Sequence, residues 1–173
     1  LEKHGIKFNN SIVLDRLSTV QGSQATIPII TLYNPEHSIT KSFKGKVLMP
    51  ISASLTEVPI KDNIYSTLIK TNNFPGSWAE TNFEEVKSGR ATYDANDRQG
   101  PIELVATVEN TKTNSRLMVS SSSSFVINGY QSQSTNFNFF LNILAWGLND
   151  EGIMSLNRPT LDDEMILLSA SQL

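Results

Sequence analysis

The chain has 173 residues with 14 basic and 17 acidic side chains, a formal net charge of -3, and 39% hydrophobic residues. That length fits one domain able to bury roughly 70% of its unfolded surface, and no basic stripe offers itself to nucleic acid or to an anionic membrane surface. Cysteine is absent, which excludes disulfides, thiolate metal sites and a cysteine nucleophile.

Two histidines, His4 and His37, are too few for a zinc site of the usual ligands. No apolar run reaches the ~18–20 residues that span a bilayer, and no signal peptide opens the chain. The opening LEKHGIKF reads as the tail of a helix whose beginning lies elsewhere, stopped at Gly5. Ile12–Leu14 then forms a short buried strand ending at Asp15. Thr26–Tyr33 is β-rich with Pro28 marking an edge or irregular start, and Asn34-Pro35 turns the chain. A third run covers Val47–Leu55, and a fourth Tyr65–Thr71. The stretch 74–101 is polar and turn-rich, a long loop of the kind that is often functional. Within it Ser77 and Glu80 have capping-box spacing, which predicts a helical turn from Trp78.

Ile102–Glu109 and Arg116–Val119 are strands separated by the turn NTKTNS. Three successive apolar residues in the second suit a strand covered on both faces, as in a largely parallel sheet. Thr135–Leu148 is the clearest helix. Phe137, Phe140, Leu141, Leu144 and Leu148 make one stripe and Phe139, Ile143 and Trp146 a second, so little of it is expected to face water. A last short strand is expected at Met165–Leu168. The order of elements predicts an α/β domain over 1–173, with a mixed, mostly parallel sheet flanked by helices.

Between the strand RLMV and that helix lies the run Ser120–Ser124. Its flanks are too apolar for a free linker, so it reads as a sheet-end loop, the usual ligand position in open α/β folds. A catalytic reading makes Ser123 a nucleophile with His37 as base. The G-x-S-x-G glycines are missing, and hydroxyls capping orphan backbone groups are the stronger explanation. A third reading is a small-molecule or sugar pocket near Ser121–Phe125. His37 in NPEHSIT, Trp78 in GSWAET and Asp15 after IVL join Ser121, Ser122, Ser123, Ser124 and Asn128 as candidate ligand- or partner-binding residues. The cluster Asp162, Asp163 and Glu164 reads as a solvated turn. With neither a P-loop nor G-x-G-x-x-G, no cofactor is expected.

An ordered series of segments adds a likeness: HGIKFNNSIVLDR, LYNPEHSITKSF, VLMPISASLTEV, SWAETNF, GPIELVATVE, SRLMVSSSSSFVIN and NFNFFLNILAWGLNDEGIMSLNRP. Together they resemble the extracytoplasmic domain of auxiliary proteins of ABC transporters, of the gliding-motility type. In that family the strand before the large helix leads into Gly-Asp-Ser-Asp-Phe. Here Ser121 and Ser122 stand for the Gly and first Asp, and Ser124 for the second Asp. Ser123 and Phe125 match, and Asn128 follows as the family suggests. The resemblance implies a fold similar to class I glutamine-amidotransferase-like domains without their cysteine, and a periplasmic location. Tethering by transmembrane helices beyond both ends, and permease and ATPase subunits as partners, are implied too. This chain would then be the C-terminal part of a larger soluble region, and an incomplete sheet would favour a homodimer. The implied function is non-enzymatic binding of a partner subunit or envelope ligand.

Overall fold

The computed structural model describes residues 1–127, 129 and 134–149. A 3₁₀ turn, Glu2–His4, closes at Gly5, whose φ of 96° is left-handed; a β-carbon there would sit 3.2 Å from the Asn63 amide. Strand β1 (Ile6–Phe8) then pairs antiparallel with β5 (Leu55–Glu57). Leu55 in turn pairs with Glu103 at the start of β9 (Glu103–Asn110). The centre of this sheet is β9, held between β6 (Asn63–Lys70) and β10 (Ser115–Ser120): Val108 faces Tyr65 on one side and Leu117 on the other. A second sheet orders β2 (Ile12–Asp15), β7 (Ser77–Glu80) and β8 (Arg98–Gln99), and β3 (Ile29–Ile30) pairs with β4 (Val47–Leu48).

Every described pairing is antiparallel, and the main sheet curls into a half-barrel with few helices. The expected mostly parallel, amidotransferase-like α/β sheet is therefore wrong. NTKTNS is a hairpin loop: Asn110 Oδ1 accepts from the amides of Lys112 at 3.0 Å and Thr113 at 2.9 Å, and Asn114 takes a φ of 53°. Side-chain turns of this kind reverse the chain, and a tight hairpin joins only antiparallel strands. The apolar runs that pointed to parallel pairing have another cause. In β10, Met118 packs against one core cluster, while Val119 belongs to another and Leu117 packs against it. A strand that feeds two cores reads as continuously apolar whichever way its neighbours run.

Other elements shift in detail. The run Val47–Leu55 splits, because Pro50 lacks an amide and Ile51 sits at a φ of 48°. The stretch 74–101, read as a loop, holds β7, α2 (Phe83–Ser88) and β8. Ser77 and Glu80 do not start a helix; they bound a fully buried strand. The helix starts one turn later, where the Asn82 side chain accepts from the Glu84 and Glu85 amides.

Helix α3 (Asn136–Leu148) lays Phe139, Ile143 and Trp146 on the larger core. Its other stripe is only partly covered: Phe140 packs against the core and Leu141 is half-buried, but Phe137 is 42% exposed, Leu144 40% and Leu148 69%. The expectation that little of this helix meets water is corrected accordingly. At its N-terminal end the Asn136 carboxamide accepts from Leu48 N and donates to Leu48 O, both at 2.8 Å. The expected strand Met165–Leu168 lies outside the described residues, as do Asp162, Asp163, Glu164 and Asn128.

Candidate functional site

The serine run is a strand-end loop, and most of it is structural. Ser121 continues the pairing of β10, its amide donating to Leu104 O at 2.8 Å and its carbonyl accepting from Ala53 N at 3.3 Å. The Ser122 hydroxyl donates to Pro50 O and accepts from Ser124 N. Ser124 opens the 3₁₀ turn Ser124–Val126, which drives Phe125 into the core against Phe139. Ser123 alone of these turns outward. The loop binds the end of β10 to the Pro50–Ala53 corner, which is what runs of small hydroxyl side chains do at irregular backbone.

The remaining sequence candidates lie elsewhere, and no common site gathers them. Asp15 is buried, its Oδ1 capping α1 (Arg16–Val20) at Ser18 N, 3.2 Å, and its Oδ2 accepting from Asn72 Nδ2 at 2.8 Å. Trp78 is also buried, its indole N–H donating to Glu80 at 3.1 Å and its face lying 5.0 Å from the Arg16 guanidinium. His37 is half-buried between the 34–41 loop, β9 and α3. Its Nδ1 accepts from Ile39 N at 3.3 Å, its Nε2 meets Thr107 Oγ1 at 3.2 Å, and its ring lies 5.6 Å from that of Trp146. Burial holds the imidazole below its usual pKa; Glu109 opposes this effect and Arg116 reinforces it. No hydrogen bond joins His37 to the serine run among the described residues, so the Ser123–His37 pair is not assembled.

Two surfaces do stand out. The first is a cleft of ≈ 560 Å³ beside β6. The 32–35 segment runs along that strand, Asn34 N donating to Leu68 O at 2.9 Å and Tyr33 bridging to Ile69. In the cleft the Tyr65 hydroxyl donates to Glu103 Oε2 at 2.7 Å, and Lys70 Nζ stands 3.7 Å from Glu103 Oε1. Burial, with the Glu103 hydrogen bond added, pushes the Tyr65 phenol well above its usual pKa, so it stays a donor. Sequence reading missed this cleft. A lone carboxylate at the head of the apolar strand IELVATV was the available signal, and it gives no hint of Tyr65 or Lys70.

The second surface is the outer face of α3. Phe137, Leu144 and Leu148 are exposed on it, and Val126 and Ile127 are exposed at the turn that packs on the same helix. Exposed apolar surface of this kind marks interaction sites. No group of three metal-ligating side chains occurs among the described residues, and no described helix is long and apolar enough to cross a membrane. The chain matches no family model, no curated protein and no solved structure.

Proposed function

We propose that this chain is a non-enzymatic extracytoplasmic module of an ABC transporter auxiliary protein, docking on a partner subunit through the outer face of α3. The exposed apolar stripe Phe137–Leu144–Leu148 carries the docking part of the reading. The ordered likeness to gliding-motility auxiliary proteins carries the rest, its fold expectation set aside. The segments that bear that likeness hold one another together. Asn9 of the first donates to Ser54 of VLMPISASLTEV at 3.0 Å, and Asn142 of NFNFFLNIL donates to Ile39 O of NPEHSIT at 3.1 Å. ATP hydrolysis belongs, on this reading, to a separate cytoplasmic subunit, and the module sits on the periplasmic side, tethered by helices outside this chain.

The test is affinity capture of the tagged full-length protein from native membranes. Permease and ATPase subunits should co-purify with it, and Leu144→Glu should reduce their recovery at least tenfold without altering the melting temperature. Capture that brings down neither subunit overturns the proposal.

A further inference from the structure

We infer that the cleft beside β6 is a binding site for a neutral, hydroxyl-rich ligand of disaccharide size, recognised by Glu103, Tyr65, Lys70 and Asn73. The inference is independent of the transporter reading and uses none of the residues on α3. Its size is the first argument: ≈ 560 Å³ falls within the range of small-molecule sites.

Charge is the second. Glu57 and Glu103 against Lys70 leave the lining with one excess negative charge, which disfavours phosphates and other anions. A cationic ligand would have to displace or repel Lys70, whose side chain is 47% exposed and already stands beside Glu103. A hydroxyl group avoids both conflicts, because it donates to a carboxylate and accepts from an ammonium at once. The Glu103 carboxylate is set for this, held from one side by the Tyr65 phenol and approached from the other by Lys70. Its side chain is only 17% exposed, so it is buried enough to be fixed and open enough to be reached.

The third argument excludes the main competitor, an extended peptide. Peptides dock beside strands by adding to a free edge. Here the edge of β6 is already taken, by Asn34 N on Leu68 O, by the Asn34 side chain on Thr67 O and by the Tyr33–Ile69 bridge. Backbone pairing is unavailable along Thr67–Ile69, and there side-chain recognition remains.

The experiment is titration of the ¹⁵N-labelled 173-residue chain with maltose, cellobiose, lactose and N,N′-diacetylchitobiose, followed by amide shifts. At least one disaccharide should move the resonances of Tyr65, Lys70 and Asn73 saturably. Glu103→Gln should weaken that binding about tenfold or more, and affinity should not change between low and high salt. Asn73 lies exposed on the rim, so Asn73→Ala tests the site without disturbing the Tyr65–Glu103 pair and should also weaken binding. Silence with all four sugars, shifts that persist unchanged in both variants, or affinity that falls steeply with salt each overturn the inference.

Discussion

Asp15 shows how one side chain at a strand end settles the course of the chain. Each carboxylate oxygen has a separate partner, the Ser18 amide on one side and the Asn72 carboxamide on the other. The first starts α1; the second ties the end of β2 to the segment after β6. Asp15→Ala removes a helix cap, worth about 1 kcal/mol, and strands a half-buried donor, worth about 1–3 kcal/mol. A loss of about 2–4 kcal/mol in urea unfolding is expected, with the denaturant slope unchanged. Position after an apolar triplet marked Asp15 as a strand-end acid, and in the structure it is a helix cap in place of the expected binding residue. The cleft could not be read the same way. Tyr33, Tyr65, Lys70 and Glu103 come from three separate stretches, and each alone is an ordinary strand or loop residue. Only the register of β6 on β9, which pairs Lys70 with Glu103, makes them a group.

At the scale of elements, strands were legible where apolar runs were long, as in β6, β9 and β10, and the helix at α3 by its period. Their direction was not, since a polar hexapeptide such as NTKTNS can be a hairpin or the start of a crossover, and side-chain hydrogen bonds decide. The facing of α3 was likewise hidden, because both of its stripes are apolar. Its C-terminal end illustrates borrowed stabilisation. The last turn has no basic residue of its own, and Arg116 of β10 supplies one. Its guanidinium donates to Trp146 O at 2.8 Å and Asn149 Oδ1 at 3.0 Å, and lies 5.2 Å from the Trp146 ring. A cation on the final carbonyls satisfies orphan acceptors and opposes the helix dipole. Arg116→Ala should therefore fray α3, read as faster hydrogen exchange at the Ala145–Gly147 amides than in the rest of the helix. Arg116→Lys should restore only part of the protection, since an ammonium lacks the planar fork.

For the molecule as a whole, His37 joins three parts: its own loop through Ile39, the central strand through Thr107, and α3 through Trp146. Its folded pKa lies below the ordinary 6.5, chiefly through burial, with Glu109 and Arg116 the charges that face it. The unfolded chain therefore takes up a proton that the folded one refuses. Stability from this group is fully present above about pH 6.5 and is lost as pH falls from there through the lowered folded value. Chemical denaturation at a series of pH values should show that decline, and His37→Gln should flatten it in that window.

The Asn136 carboxamide, described above as two hydrogen bonds to Leu48, has a consequence for how copies of this protein behave toward each other. A side-chain amide has the same donor and acceptor as a peptide group, so Asn136 acts on β4 as a strand one residue long. A two-stranded ribbon would otherwise present the outer groups of Leu48 as a template for another chain. With that position filled from the same molecule, the ribbon is closed to recruitment there, and the protein gains resistance to self-association from one residue at the head of a helix.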